Sequence, residues 1–418
     1  MSHPPHEVAD LGLAAAGEAR IRWAGGQMPV LGAIRARFAR ERPLRDVRVA
    51  VCLHVTAETA NLIRTLIAGG ARTALSAANP FSTQDDVAAA LVAVDGAEVH
   101  ARRGEDAAAY AAHLDRLLDP APQIAIDDGG DLIAAAHAGG GSPARALIGA
   151  TEETTTGLVR MRAMEARGEL RCPVLAVNEA LTERAFNDRY GTGQSTLDGI
   201  LRATDLLFAG RTFVVLGYGY AGKGVALRAH GAGASVIVCE VEPIRGLEAR
   251  MDGFEVMPAL AAAERGDVFV TVTGAPDVLR REHFERMKDG AVLANAGHFD
   301  VEISLPDLVA AAVGPPRAVL PLVDEYDLGG RRLNLLAKGR VVNLAAAAGH
   351  PAAVMDLSFA GQALAVEHLV ATGGERGPGV HPVPVEIDRE VARVKLATLG
   401  VELDVLSEAQ ERYLRSFR

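Results

Sequence analysis

The segment Phe213-Val-Val-Leu216 followed by Gly217-Tyr-Gly219-Tyr220-Ala221-Gly222-Lys-Gly224 restricts the fold of this chain more than any other. A short β-branched run enters glycines spaced G-x-G-x-x-G, and a helical stretch follows. That is the opening of a βαβ unit whose turn cradles a pyrophosphate. Gly217 permits the tight turn, Gly219 lets a pyrophosphate approach the backbone, and Gly222 lets the helix pack close. Tyr220 and Ala221 complete the loop at the helix N-terminus, whose N–H groups face the phosphates. Glu240 ends the next β-branched run, 21 residues after Gly219. A carboxylate there accepts from ribose hydroxyls and repels a 2′-phosphate, so the expected cofactor is NAD rather than NADP.

Similar runs recur: Val47-Arg-Val-Ala-Val51, Ile124-Ala-Ile126, Val236-Ile-Val238, Val268-Phe-Val270 and Ala291-Val-Leu293, separated by helix-length, Ala-rich stretches. Such alternation predicts an α/β protein with parallel sheets. At 418 residues the chain exceeds one ordinary core. We expect two doubly wound parallel-sheet domains, the second of them a Rossmann domain, plus a C-terminal helical tail. The boundaries expected are 1–188 for the first domain, 189–347 for the NAD domain and 386–418 for the tail, with a further stretch, 348–385, between the last two. The tail is too poor in apolar residues for a domain of its own and is expected to pack on the body or on another subunit.

A net charge of −10 disfavours nucleic acid or an anionic membrane as partner. Cys52, Cys172 and Cys239 sit in or beside apolar runs and read as reduced core residues, with no metal set among them. The N-terminus carries no signal-peptide pattern, and no apolar run reaches the ~18–20 residues of a membrane span. The expected location is cytoplasmic.

Several longer phrases resemble the S-adenosylhomocysteine hydrolase family in its own order. They are Gln27-Met-Pro-Val-Leu, Cys52-Leu-His-Val-Thr-Ala-Glu-Thr, Asn79-Pro-Phe-Ser-Thr-Gln-Asp-Asp and Ile126-Asp-Asp-Gly-Gly-Asp. Further on come Glu152-Glu-Thr-Thr-Thr-Gly, Tyr190-Gly-Thr-Gly-Gln-Ser, Asn295-Ala-Gly-His-Phe-Asp-Val-Glu-Ile, Gly339-Arg-Val-Val-Asn-Leu and Gly349-His-Pro-Ala-Ala-Val-Met. The form of the Tyr190 phrase and the short C-terminus are similar to the archaeal and thermophilic branch. The resemblance implies that 1–188 is a substrate domain completed by 348–385, in a homo-oligomer, dimer or tetramer, that acts on a nucleoside thioether. NAD would oxidise the ribose 3′-hydroxyl, the 5′-thiolate would leave after loss of the C4′ proton, and water would add at C5′.

Residue by residue, the resemblance puts Thr56 and Glu58 on the adenine. It makes His54 and Asp128 the polar pair near C4′ and C5′, and Glu153 the carboxylate on the ribose hydroxyls. His298 closes over the reacting ribose, and His350 and Met355 complete the substrate contacts. Thr154, Thr155 and Thr156 reach the nicotinamide side of NAD, with Asn343 on its carboxamide and Thr273, Asn295 and Gly297 among the other cofactor contacts. Taken singly, Asp127-Asp128-Gly-Gly reads as a turn, Thr-Thr-Thr as a helix start, and Glu152-Glu153 as a solvated helix N-terminus.

The chain departs from the family pattern in one catalytic stretch. Where relatives resembling it carry Lys, Asp and Asn, this chain has Glu183, Asn187 and Asp188. An ionised Glu183 accepts a proton as a base but does not steady negative charge on oxygen as a lysine does. Losing a positioned proton-transfer group costs about 10²–10⁴-fold. Arg184 is adjacent, but its position points it elsewhere on a helix. Three readings follow: a hydrolase of S-adenosylhomocysteine or a close analogue such as the inosyl compound; an enzyme using the same oxidation and elimination on another 5′-substituted nucleoside such as a sulfonium; and a catalytically weak regulatory paralogue.

Overall fold

The computed structural model describes residues 4–138, 146–297, 300–373 and 375–416. The chain forms two compact units: 1–151 with 168–175 and 359–418, and 152–167 with 176–358. The helix Thr155–Ala166 and the stretch 176–188 belong to the second unit, and the return to the first comes at 359.

The first unit is built on an eight-stranded sheet. Its strands are β1 (His6–Glu7), β2 (Arg48–Cys52), β3 (Arg72–Ser76), β4 (Glu98–His100), β5 (Ile124–Asp127), β6 (Gly149–Glu152), β7 (Pro173–Ala176) and β16 (Gly379–Pro382), in the order β1-β4-β3-β2-β5-β6-β7-β16. β2 pairs in parallel with both β3 and β5. Val49, Val51, Ile124 and Ile126 are fully buried in it, which is why these strands read as continuous apolar runs. Each such side chain contributes about 1.5–3 kcal/mol on burial. The helix Val385–Thr398, read from sequence as the start of a tail, packs Ile387 and Val391 on this unit's helix Pro29–Glu41. From Leu399 to Ser416 every residue is exposed, including the capped helix Glu408–Arg415.

The second unit holds another eight-stranded sheet: β8 (Thr212–Leu216), β9 (Ser235–Cys239), β10 (Glu255–Val256), β11 (Val268–Thr271), β12 (Ala291–Asn295), β13 (Arg317–Leu320), β14 (Val323–Asp327) and β15 (Arg332–Leu336), ordered β10-β9-β8-β11-β12-β15-β14-β13. From β10 to β15 neighbours are parallel. β14 is antiparallel to β15 and to β13, so the sheet is parallel-rich rather than wholly parallel. Phe213, Val215, Val225, Ala226 and Val238 lie in one core on this sheet, and Val214, Phe269, Leu293 and Leu335 in another. The three cysteines are free and buried. Among the described residues no helix is long and apolar enough to cross a membrane.

Candidate active site

In the first unit, parallel pairing sets Cys52, the last residue of β2, beside Asp127, the last of β5. The loops beyond these ends carry His54 and Asp128, and loops at the carboxyl ends of parallel strands are where open α/β sheets bind ligands. The His54 loop is laced to the segment after β3 by three backbone bonds: Leu53 N to Ser76 O, Ala78 N to Leu53 O, and Gln84 N to Val55 O. His54 Nδ1 lies 2.8 Å from Ser82 Oγ, and His54 Nε2 lies 3.5 Å from Asp128 Oδ2. Asp127 is fully buried and accepts from the backbone N–H of Asp128 at 2.9 Å and of Ile133 at 2.7 Å. Burial pushes its carboxyl up to about 7, although those two donors favour the charged form. Gly129 and Gly130 take positive φ, so the turn read from the sequence is real, and it serves to present Asp128. Thr56 caps the helix Ala57–Ala68, and Glu58 lies in the first turn of that helix.

In the second unit the Glu152-Glu153 pair is not a solvated helix end. Glu152 is 0% exposed and accepts from both the N–H and the hydroxyl of Thr154. Its carboxylate sits where a Cβ on Gly157 would stand, 2.1 Å from Cδ, which requires the glycine in Thr-Thr-Thr-Gly. Thr154 caps the helix Thr155–Ala166, as the helix-start reading implies. Thr155 Oγ1 donates to Asn178 Oδ1 at 3.0 Å. Glu153 is buried and accepts from the hydroxyl of Ser358.

Glu183, Asn187 and Asp188 lie in a ten-residue π-helix, Glu183–Thr192. This i→i+5 winding is rare and frequent at functional sites. Glu183 and Asn187 are each 5% exposed. Asn187 Nδ2 faces Met355 Sδ at 3.8 Å. Burial pushes the Asp188 carboxyl up to about 6, against the pull of Arg184. Arg184 is half-exposed and pairs with Glu179 at 3.3 Å. His350 Nε2 lies 3.2 Å from Thr192 Oγ1 at the end of the same segment.

The π-helix is seated on the helix that follows the glycine loop. A Cβ on Gly193 would stand 2.6 Å from the backbone of Gly224, and one on Gly224 only 1.8 Å from Arg189 O. Two glycines of separate sequence phrases are thus needed at one crossing.

The loop after β8 suits a dinucleotide. Gly217 has φ +105°, and a Cβ on Gly222 would lie 2.0 Å from Gly217 O. Gly219 caps the helix Tyr220–Gly231 without a side chain, leaving its first N–H groups open to an anion. Glu240 accepts from the N–H groups of Tyr218, Val241 and Glu242. Burial opposes its charge, but these bonds and Arg245 outweigh it and hold the carboxyl below its ordinary range. Tyr220 is exposed with Lys223 over its ring. Thr273, by backbone and hydroxyl, and Gly274 donate to the buried Glu302. Burial raises the Glu302 carboxyl despite those donors. Asn295 spans Thr271, Gly297 and Gly339 with its side chain, so its amide is spent on scaffolding. Asn343 Oδ1 and Thr156 Oγ1 are buried and lack a partner among the described residues, so each has capacity for a hydrogen bond from a bound cofactor. His298 lies outside the described residues.

With that geometry in hand, residues 5–148 match the family described as S-adenosyl-L-homocysteine hydrolase, and residues 188–349 match its NAD binding domain. Adenosylhomocysteinase from Aquifex aeolicus is 56% identical over 98% of this chain and 98% of its own. The chain belongs to the S-adenosyl-L-homocysteine hydrolase family. S-inosyl-L-homocysteine hydrolase from Methanopyrus kandleri is 51% identical over 99% of this chain and 97% of its own. A dipicolinate synthase polypeptide from Bacillus halodurans, at 14% identity and a TM-score of 0.52 over 79% of this chain and 99% of its own, shares the fold alone.

NAD is the cofactor of this family member. Sequence reasoning missed Ser82, Asp127, Glu302 and Ser358, which hold the named residues in place. Ser82 and Glu302 stood inside the quoted phrases, but nothing in their spacing linked them to His54 or Thr273, 28 and 29 positions away. Among the described residues no group of three His, Cys, Asp or Glu could hold a metal ion.

Proposed function

We propose that this chain catalyses the NAD-dependent, reversible hydrolysis of S-adenosyl-L-homocysteine or its close inosyl analogue. The observation that carries the reading is the near full-length identity to an adenosylhomocysteinase, together with the intact His54–Asp128 pair. The first unit binds the nucleoside, with Thr56 and Glu58 on the base, and the second binds NAD. NAD supplies reversible oxidation of the ribose 3′-hydroxyl. Glu153, steadied by Ser358, accepts from the ribose hydroxyls. Glu183 takes the 3′-hydroxyl proton; the His54–Asp128 pair takes the C4′ proton, hands it to the departing 5′ sulfur, and takes another from the water that adds at C5′ as C4′ is reprotonated. His350 and Met355 close the substrate side, and Thr156 and Asn343 orient the nicotinamide. The exposed stretch from Leu399 supports a subunit contact in a cytoplasmic homo-oligomer.

The test is a thiol-release assay on the purified, NAD-loaded protein with S-adenosyl- and S-inosyl-homocysteine, alongside the absorbance of reduced nicotinamide. Thiol release with transient reduction is expected for one or both substrates. Persistent reduction without thiol would point to another 5′-substituted nucleoside. Neither signal would end the hydrolase assignment.

A further inference from the structure

We propose that Ser82 is a positioning residue that fixes the tautomer of His54, so that Nδ1 carries the hydrogen and Nε2 is left for Asp128. The argument is a count of hydrogens. Ser82 Oγ lies 2.8 Å from the carbonyl oxygen of Asn79 and 2.8 Å from His54 Nδ1. A carbonyl only accepts, so the single hydroxyl hydrogen of Ser82 goes to Asn79. The bond to His54 must then be donated by the ring, which puts a hydrogen on Nδ1. In the neutral imidazole the lone pair therefore sits on Nε2, the atom 3.5 Å from Asp128 Oδ2. Two acceptors face each other there, and the contact closes only when a proton enters, on the ring or on the carboxyl.

The arrangement is held firmly. Asn79 forms a turn around Ser82: its side chain accepts from Phe81 N at 2.8 Å and its carbonyl also accepts from Ser82 N at 3.0 Å. The His54 backbone is pinned in turn, its carbonyl accepting from Thr56 N at 3.0 Å and from the Thr59 hydroxyl at 2.5 Å. On the other side Asp127 holds the backbone N–H of Asp128. Both partners of the proton-transfer contact are thus aimed before a ligand arrives, and Ser82 decides which ring nitrogen meets the carboxylate. The wrong tautomer would offer Asp128 an N–H already in place, and the pair would lose its capacity to accept a proton at Nε2.

The proposal rests on the reading of His54 and Asp128 as the proton-transfer pair, and the experiment separates the two. The NAD-loaded full chain is labelled with 15N-histidine and its ring nitrogens are recorded near pH 8, above the usual titration range of histidine. The signal missing in His54→Gln assigns His54. Wild type should show hydrogen on Nδ1. Ser82→Ala should lose that preference and release thiol about 10-fold more slowly. Ser82→Thr, which keeps the hydroxyl, should restore both. Hydrogen on Nε2 in wild type, or an unchanged tautomer in Ser82→Ala, would overturn the proposal. If His54→Gln turns over like wild type, the reading of the site fails and the proposal falls with it. If His54→Gln is dead while Ser82→Ala is fully active, only the proposal fails.

Discussion

The corner carrying His54 and Asp128 and the π-helix carrying Glu183, Asn187 and Asp188 hold their polar groups in opposite ways. In the corner, each functional side chain is aimed by a neighbour: His54 by Ser82, and Asp128 through its backbone by Asp127. In the π-helix, Asp188 is governed mainly by burial, Asn187 faces a thioether, and the nearby Arg184 is engaged with Glu179. The first region holds the His54 ring and the Asp128 backbone in fixed hydrogen bonds, as the proton transfer proposed for them requires. The second is a seat whose charge has been rearranged, on a backbone clamped to the cofactor helix through Gly193 and Gly224. In this chain the π-helix is docked through its backbone while its titratable groups differ from those the family resemblance implies.

The largest effect expected is from Gly224→Val. A Cβ there stands 1.8 Å from Arg189 O, so the π-helix must shift off the cofactor helix. Overpacking of this kind costs about 1–3 kcal/mol or more, and NAD retention and thiol release should both be lost. A variant retaining NAD and full turnover would show that the seat is not coupled to the cofactor. His54→Gln should lower turnover by about 10²–10⁴-fold while leaving bound NAD unchanged, which separates the corner from the seat. Glu183→Lys should act in the other direction, raising thiol release from S-adenosylhomocysteine by about 10-fold, because an ammonium steadies charge on the 3′ oxygen that a carboxylate repels. A fall in rate would mean that Glu183 has become indispensable to this chain's chemistry.

The smallest effect is on stability. The folded-state carboxyl of Asp188 is raised to about 6, so the folded protein holds this proton more tightly than the unfolded chain does. Its contribution is therefore most favourable below the ordinary carboxylate range and is lost as pH climbs through about 6. Asp188→Asn should leave the melting temperature unchanged near pH 4 and raise stability by roughly 1–2 kcal/mol near pH 7.5. Equal gains at both pH values would show that burial does not control this group.

Much of this was legible in sequence where one chain segment carries the whole signal. Phe213-Val-Val-Leu216 with its glycines specified strand, turn and helix together, because all three roles fall within a dozen residues. β13 was not legible: its four residues, Arg317–Leu320, are all exposed and carry no apolar period. The π-helix was invisible because residue types do not signal an i→i+5 winding. Glu152 taken alone reads as a solvated helix end, because the glycine that accommodates its buried carboxylate lies five residues on; the order of the family phrases is what marks the pair as more. Ser82 was quoted within a phrase, yet its partner is brought to it only by the pairing of β2 with β3.

The most direct test of the central claim is solvent exchange at C4′. The NAD-loaded protein is incubated with S-adenosylhomocysteine in D2O, and the released adenosine and remaining substrate are examined by NMR. Oxidation at C3′ followed by proton removal predicts deuterium at C4′ in both. Thiol release with C4′ fully protonated would contradict the account, because the 5′ group would then have left without the 3′ oxidation that NAD and these residues are proposed to serve.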